Sequence, residues 1–382
     1  MSRLNRGWRS RPDLSLLTIV LVLTVFGFFM ILSASAPMAV MTSGDTLVFV
    51  KKHAAVVVVS LAAMGLGIVL SLDRLRSLTK PIVILTALLL IATHLPGMGH
   101  TVYGATRWLK VGPFSIQPSD FAKIALVLFM ADFLARHPQK GWSLFKEQRQ
   151  MLLPIGGLLG LVLFQPDLGS TIMLATSCFV LFLVNGASSW KMAFLAVSGS
   201  MAVFLYSWNT EYQRLRWLAV FDPWKYPKDI GFQTVQSLLA IGSGGLFGMG
   251  YGQGKQKLFY LPIQHSDFIF AVIAEEWGLF GAVGTVLLFL ALGQRGFAIA
   301  QRATNPYHQL LVVGLTTLIV AQAFINIGVV IGVLPTTGIP LPFLSAGGTS
   351  LLVTLFGVGL ILNVSRQSQA QLRLLKRGGS AA

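Results

Sequence analysis

The stretch LPIQHSDFIFAVIAEEWGLFG, residues 261–281, carries side chains that are suited to acid–base chemistry. His265 and Asp267 precede an apolar run, and Glu275 and Glu276 lie inside it. On a helix Glu275 would lie roughly 12 Å along the axis from Asp267. Ionisable groups at such depth in a membrane helix mark functional sites by default, and Asp267 is our candidate catalytic residue. The alternatives are a capping role for Asp267 at the helix start and structural pairing for the two glutamates.

A second group of polar residues lies in YGATRWLKVGPFSIQPSDFAK, residues 103–123. Asp120 and Lys123 have the i,i+3 spacing of an internal ion pair, which is the alternative to a role at a site. FQPDLGS places Asp167 in a tight connection, either as an Asx-type turn or as an acid that faces a ligand. The candidates from these two motifs are Arg107, Trp108, Lys110, Gln117, Asp120, Lys123 and Asp167.

A third group occupies the long segment 209–266, which is rich in cations, aromatic residues and glycine. Its stretch GSGGLFGMGYGQGKQK can expose successive backbone N–H groups, which favours contact with an anionic ligand over a flexible connector. GFQTVQSLLAIG within the segment has the apolar spacing of a short helix that lies on or dips into the membrane. Glu275 and Glu276 would need either a partner or a cavity to face, and Ser345, in LPTTGIPLPFLSAGGTS, would line such a cavity. The basic candidates for ligand binding are Arg214, Arg216, Lys255 and Lys257.

The elements that must position these residues are membrane helices. The chain is 54% hydrophobic and 11% charged, whereas a soluble domain has roughly 25% charged residues. We predict an all-α integral membrane protein with ten transmembrane helices, because ten apolar segments approach spanning length. They lie near residues 14–36, 53–72, 80–97, 118–135, 151–165, 169–185, 190–208, 268–292, 309–333 and 345–364.

The formal net charge of +16 fits either nucleic-acid binding or the positive-inside rule, and the position of the charges favours the second. Most of the lysines and arginines fall on the side of the N-terminus, so both termini are predicted to be cytoplasmic. Segment 209–266, between helices 7 and 8, is then extracytoplasmic. The predicted division is a basic N-terminus 1–13, a membrane domain 14–365 and a basic tail 366–382. The single cysteine, Cys178, excludes a disulfide within the chain.

Several long motifs together resemble the SEDS family, the FtsW, RodA and SpoVE group of cell-wall synthases. They are ILSASAP, GATRWL with FSIQPSDFAK, QPDLGS, FDPW with GFQTVQSLLAIGSGGLFGMGYG, LPIQHSDFIFAVIAEEWGLFGA and GVLPTTGIPLPFLSAGGTS. The resemblance runs from about residue 14 to residue 365. ILSASAP, FDPW and QSLLAIGSGGLFGMGYG are more similar to the FtsW branch than to RodA.

The resemblance implies a peptidoglycan glycosyltransferase that polymerises lipid II on the outer face of the cytoplasmic membrane. The GlcNAc 4-hydroxyl of one lipid II would attack C1 of the undecaprenyl-linked MurNAc with inversion, and undecaprenyl diphosphate would leave. The family's essential acid corresponds to Asp267 and its Arg-Trp pair to Arg107 and Trp108. A hydroxyl nucleophile needs a base, and a diphosphate needs cations.

The same resemblance implies partners and a place in the cell. The partners are a class B penicillin-binding transpeptidase and other divisome proteins, with the division septum as the location and no nucleic acid. A divalent cation, Mg²⁺ or Mn²⁺, at Asp267 is compatible with a carboxylate beside substrate phosphates, and the sequence leaves this open. Competing hypotheses are a lipid II flippase, a RodA-type elongation polymerase and a scaffold. Ionisable residues crowd towards the outer half of the membrane, which favours catalysis at a fixed face over alternating access.

Overall fold

Thirteen α-helices and one small β-sheet form the part of the chain that the computed structural model describes, residues 11–95, 98–102, 105–111, 114–137, 149–225, 231–256 and 266–378. The elements are α1 (Leu14–Ser43), α2 (Val48–Val69), α3 (Leu72–Ser77), α4 (Thr79–Ala92), β1 (Gly99–Val102), β2 (Ala105–Val111), β3 (Phe114–Ile116), α5 (Pro118–Arg136), α6 (Arg149–Phe164), α7 (Leu168–Val184), α8 (Ser189–Asn209), α9 (Glu211–Phe221), α10 (Phe232–Gly244), α11 (Ile269–Arg302), α12 (Pro306–Val330) and α13 (Gly348–Gly378).

Each of the ten predicted spans overlaps one helix of this bundle, namely α1, α2, α4 to α8 and α11 to α13. Six described helices are long and apolar enough to cross a membrane: α1, α2, α8, α11, α12 and α13. Shorter apolar helices cover Thr79–Ala92, Met151–Phe164 and Leu168–Val184. The chain is therefore a multi-pass membrane protein. A helix forms inside segment 209–266 where a short one was predicted, namely α10, and α9 precedes it.

Capping residues explain where several helices begin. Asp13 caps α1, because its side chain accepts a hydrogen bond from the Leu16 amide at 2.9 Å. Asn305 does the same for the Tyr307 amide at the start of α12, where Pro306 occupies the first turn. These side chains satisfy backbone N–H groups that lack a partner within the helix.

A three-stranded antiparallel sheet departs from the all-α prediction. β1 pairs with β2 and β2 pairs with β3, with Leu109 opposite Ile116 and Lys110 opposite Ser115. TRWLKV in β2 contains Thr106, Trp108 and Val111, which are residue types favoured in strands. The segment between α4 and α5 is short, so it folds as a meander that carries Arg107 on its middle strand.

The core of the bundle is centred on α12, which packs against α5, α7 and α11. Leu311, Ala323 and Val330 of α12 are fully buried, and most of α5 is buried as well, as its charges led us to expect. By contrast, only Met192 and Ser207 of α8 are buried, so this helix lies at the periphery of the described bundle.

A break in α11 shapes the region that follows Asp267. Gly278 has φ +64° and ψ −159°, a conformation that side chains with a Cβ rarely adopt. The connection after α10 enters this break, where the Leu279 amide donates to the carbonyl of Gly245 at 2.9 Å. The first half of α11 is thereby held against α10.

Candidate active site

Asp267 lies in the turn that precedes α11 and keeps partial exposure to solvent. Its Oδ1 accepts a hydrogen bond from the Ser266 hydroxyl at 2.9 Å. Its Oδ2 faces Gly338, where a Cβ would stand 3.6 Å from this oxygen. Gly338 is exposed and has φ +72°, so the backbone passes close to the carboxylate without covering it. Asp267 is thus a partly exposed residue beside an exposed stretch of backbone.

Opposing effects act on the pKa of Asp267. Burial of the carboxyl group raises the pKa above its ordinary value, while the hydrogen bond from Ser266 and the charges of Arg216 and Arg107 lower it. The net direction is upward, because desolvation of the charged form is the largest effect. A carboxylate with a raised pKa is a stronger base than an ordinary aspartate.

Arg107, on β2, holds its guanidinium group beside the connection between α6 and α7. Its Nε donates to the carbonyl of Gln165 at 3.2 Å, and Nη2 donates to the carbonyl of Pro166. Its Nη1 lies 3.8 Å from Oδ1 of Asp167. These contacts fix a positive charge close enough to Asp267 to lower the pKa of its carboxyl group.

Arg216 approaches from the opposite element, α9. Its Nη1 donates to the carbonyl of Thr336 in the connection between α12 and α13, two residues before Gly338. A narrow cleft separates the two arginines, with about 30 Å³ open to water. It is lined by Arg107, Pro166, Leu168, Ile172, Val203, Ser207, Gln213, Arg216, Trp217, Pro335, Thr336 and Thr337.

Asp167 is the N-cap of α7. Its Oδ1 accepts from the Ser170 amide at 3.0 Å, which starts α7. Its Oδ2 accepts from Gln117 Nε2 at 3.3 Å and from the Ser119 hydroxyl at 3.2 Å. The Asx-type alternative of the sequence is thus confirmed. The predicted supporting residue Gln117 joins the β3–α5 connection to this cap.

The ion pair predicted for Asp120 and Lys123 is present, with Lys123 Nζ 2.9 Å from Asp120 Oδ1. Both side chains are buried, at 3% and 6% exposure. Lys123 Nζ also lies 3.4 Å from Oε1 of Gln322 on α12. The pair therefore belongs to the packing between α5 and α12, and a direct contact of either residue with Asp267 is not among the described interactions.

Glu275 and Glu276 are buried and bind backbone amides of the glycine-rich connection, residues 245–256, which follows α10. Glu275 Oε1 accepts from the amides of Lys255 at 2.7 Å and Gln256 at 3.1 Å. Glu276 Oε2 accepts from the Gly252 amide at 3.1 Å. Three amides that we expected to face an anionic ligand are thus directed at the protein's own carboxylates.

The remaining predicted residues are more scattered. Ser345 reaches the site, since its hydroxyl donates to the carbonyl of Ser266 at 2.6 Å. Trp108 is partly buried beside Arg107. The side chains of Lys110, Arg214 and Lys255 are exposed and are not placed in contact with Asp267 by any described hydrogen bond or ion pair. Lys257 and His265 lie outside the described residues.

Two site residues were missed by the sequence reading. Asn326, on α12, donates from Nδ2 to the carbonyl of Asp267 at 2.7 Å. Gln322, one turn earlier, donates to the carbonyl of Pro340 at 2.9 Å. A signal existed for both, because an amide inside an apolar membrane helix is costly unless it has partners.

The described residues do not themselves build a metal site at Asp267. Groups of three or more His, Cys, Asp or Glu side chains that could hold an ion are absent from the described part of the chain. The charged neighbours that act on Asp267 are two arginines, which oppose a cation. A divalent ion there would depend on phosphate ligands from a substrate.

Comparison with known proteins gives a match over almost the whole chain. Residues 13–370 match the model of the cell cycle protein family that comprises FtsW, RodA and SpoVE. A relative from Geobacter metallireducens, named probable peptidoglycan glycosyltransferase FtsW, is 38% identical over 363 residues, which are 95% of this chain and 97% of the relative.

Two solved structures share the fold. One is described as structural coordination of polymerization and crosslinking by a peptidoglycan synthase complex, with a TM-score of 0.76, 30% identity, and coverage of 94% of this chain and 98% of the other. The second is the rod shape determining protein RodA of Thermus thermophilus, with a TM-score of 0.69, 30% identity, and coverage of 93% and 97%.

Proposed function

Because the chain belongs to the FtsW, RodA and SpoVE family, we propose that it is a peptidoglycan glycosyltransferase that polymerises lipid II. The observation that carries the mechanism is Asp267, a partly exposed residue whose carboxyl pKa is raised by burial and which feels the charges of Arg216 and Arg107. The similarity to a relative named FtsW favours a role in septal wall synthesis over a RodA-type role in elongation.

In the proposed reaction Asp267 is the general base. Its carboxylate takes the proton of the GlcNAc 4-hydroxyl while that oxygen forms a bond to C1 of the MurNAc on the donor. The bond between C1 and the phosphate oxygen breaks, and undecaprenyl diphosphate leaves with the electron pair. Attack from the face opposite the leaving group inverts the configuration at C1. A positioned base contributes about 10²- to 10⁴-fold to such a step.

Arg107 and Arg216 supply fixed positive charge where the diphosphate develops negative charge. Their guanidinium groups are already oriented by backbone carbonyls of Gln165 and Thr336, so little reorganisation is needed when the substrate binds. The cleft that both arginines line is narrow, with about 30 Å³ open to water.

The proposed membrane arrangement has ten spans, formed by α1, α2, α4 to α8 and α11 to α13. An even number of spans returns both termini to one side, and the basic N-terminus and tail favour the cytoplasm. Asp267, Arg107 and Arg216 then lie together at the outer face. The membrane domain 14–365 acts as one unit, with α13 continuing into the tail.

Translocation of lipid II by this chain is the second candidate, and the packing of α5 argues against it. Residues 125–128 of α5, just inside Lys123, are apolar and buried against the bundle. A route for a polar head group would have to cross this region, where desolvation of the sugar and diphosphate is unfavourable. The described polar network of the outer half ends at Lys123.

The partner we propose is a class B penicillin-binding transpeptidase that crosslinks the strands, with other divisome proteins at the septum of the cytoplasmic membrane. The likeness to a chain solved in a peptidoglycan synthase complex supports an assembly of this kind. Coupling polymerisation to crosslinking would require the product strand to leave from the same outer face as Asp267.

The decisive experiment uses the purified chain with its transpeptidase partner and labelled lipid II. We expect glycan polymer from the wild type and none from Asp267→Ala. Asp222→Asn is the matched control, because this exposed carboxylate also belongs to segment 209–266. Equal polymer from the wild type and Asp267→Ala would remove Asp267 from the mechanism. Movement of lipid II across a vesicle membrane without polymer would support the flippase instead.

A further inference from the structure

Asn326 makes two short hydrogen bonds that converge on the site. Its Nδ2 donates to the carbonyl of Asp267 and to the carbonyl of Ile339, both at 2.7 Å. Because both neighbours are carbonyl oxygens, the nitrogen and not the oxygen of the amide must face them. One side chain on α12 therefore ties the backbone of Asp267 to the connection that carries Gly338.

The arrangement is costly, which indicates that the two bonds are needed. Asn326 is 1% exposed, and its Oδ1 is buried without a hydrogen-bond partner among the described residues. A leucine of similar size would remove this unpaired oxygen, but it would leave the carbonyls of Asp267 and Ile339 without their donor.

Ser345 provides a second tether to the same turn. Its hydroxyl donates to the carbonyl of Ser266 at 2.6 Å and accepts from the Leu341 amide at 2.8 Å. Two consecutive carbonyls, those of Ser266 and Asp267, are thus held by side chains that also bind the α12–α13 connection. The Asp267 carboxylate is aimed by these contacts and not by its own side-chain bonds alone.

We propose that Asn326, assisted by Ser345, is a positioning residue that sets where the Asp267 carboxylate stands relative to Gly338 and the two arginines. The proposal rests on the proposed function, in which Asp267 is the base. A displacement of about 1 Å at a catalytic group can lower turnover by about 10²-fold. The amide acts before the substrate arrives, so its removal should affect turnover more than binding.

Asn363 is a control that the chain itself supplies. It is a fully buried asparagine on α13 whose Nδ2 also donates to two carbonyls, those of Gly67 at 2.9 Å and Leu70 at 2.7 Å. These bonds join α13 to the end of α2, away from Asp267. Asn363→Ala therefore removes the same kind of interaction without touching the site.

The experiment compares wild type, Asn326→Ala, Ser345→Ala, Asn363→Ala and Asp267→Ala in one lipid II polymerisation assay over a range of pH. For Asn326→Ala we expect kcat to fall about 10- to 100-fold, with KM changed by less than about threefold. The acidic limb of the pH profile should also move, because the carboxylate stands differently relative to Arg216 and Arg107. Ser345→Ala should change the same quantities in the same direction by less.

The outcomes separate the two proposals. A loss of kcat in Asn326→Ala no larger than in Asn363→Ala, with an unmoved pH profile, would overturn the positioning role while leaving Asp267 as the base. If Asn326→Ala does not fold, Ser345→Ala decides, and wild-type kcat and pH profile in that variant would overturn the proposal. Failure of the wild type to make polymer, or full activity of Asp267→Ala, would instead reject the proposed function.

Discussion

Asp267 and the pair Glu275–Glu276 lie on one short stretch of chain, yet their surroundings are opposite. Asp267 is a partly exposed residue whose carboxylate has one described hydrogen-bond donor, Ser266, and faces an exposed glycine. Glu275 and Glu276 are 0% and 2% exposed. They accept from three backbone amides, and Glu276 also accepts from the Ser33 hydroxyl of α1 at 2.6 Å.

The difference teaches how a membrane helix can carry acids for two purposes. A carboxylate that receives several N–H groups has its charge satisfied within the protein, and it organises the backbone around it. A carboxylate with few donors retains lone pairs that can bind a substrate proton. Exposure together with the number of described donors separates Glu275 and Glu276 from the candidate base, since Glu275 Oε2, although it has no described donor, is buried.

The largest expected effect comes from replacing a carboxylate by an amide, once at Asp267 and once at Glu276, and comparing activity and stability. Asp267→Asn should lower polymerisation by about 10³-fold, because the amide cannot take a proton. It should not lower the thermal unfolding midpoint, because it removes a charge whose burial is unfavourable. Both quantities are measured on detergent-solubilised protein, by lipid II polymerisation and by intrinsic fluorescence.

The corresponding amide substitution in the buried pair is Glu276→Gln. It should lower polymer formation much less than Asp267→Asn does, because the remaining side-chain oxygen still accepts a hydrogen bond from one donor. A destabilised Asp267→Asn variant with retained activity would reverse the assignment of the two regions.

A second effect concerns stability alone. Glu276→Ala removes the described acceptor of the buried Ser33 hydroxyl, at about 1–3 kcal/mol for a buried donor, and that of the amide of the exposed Gly252. We expect a loss of about 2 kcal/mol in the free energy of unfolding, with Glu276→Gln recovering part of it. Denaturant unfolding of the two variants measures the difference. Equal stability of Glu276→Ala and the wild type would show that the conformation of the glycine-rich connection does not depend on its contact with Glu276.

Local residue spacing in the sequence predicted the interactions that join residues close to each other in the chain. The ion pair Asp120–Lys123 and the turn role of Asp167, each stated as the structural alternative to a role at a site, are both present, because their partners lie within a few positions. The β-meander was missed, since TRWLKV lacks the polar–apolar alternation of a half-buried strand. Six of the ten predicted spans coincide with helices long and apolar enough to cross a membrane, because apolar length is the strongest signal in a membrane chain.

Contacts between distant segments could not be foreseen. Arg216 and Thr336 are 120 positions apart, and Asn326 and Asp267 are 59 apart. Structural pairing was the alternative reading for Glu275 and Glu276, and their described donors are backbone amides and the Ser33 hydroxyl. Every residue except proline carries a backbone amide, so residue types in the sequence do not identify such a donor. Only the folded chain shows which amides turn towards an acid.

Two glycines of the glycine-rich connection that follows α10 allow the cost of overpacking against Glu276 to be measured separately from backbone strain. Gly248 and Gly252 have nearly equal φ, +82° and +80°. A Cβ at Gly248 would stand 2.2 Å from the Glu276 carbonyl oxygen, whereas a Cβ at Gly252 would meet nothing within 4 Å. Both alanine substitutions carry the left-handed strain of about 1–2 kcal/mol. Gly248→Ala should be less stable than Gly252→Ala by about 2 kcal/mol in denaturant unfolding, because only the first overpacks.

The smallest effect lies at Asp267 and concerns pH. Activity requires the carboxylate, so it falls as the pH drops through the raised pKa of Asp267. The Arg216 charge lowers that pKa, and its removal in Arg216→Gln should therefore move the acidic limb to higher pH, by about 0.5 to 1 unit for about 1 kcal/mol of lost interaction. Arg214, exposed on the same helix, is the control, and Arg214→Gln should leave the limb in place. Acidic limbs that coincide in all three proteins would mean that Arg216 does not act on the ionised base, and the contrast between a charge-tuned Asp267 and an amide-satisfied Glu275–Glu276 would then rest on burial alone.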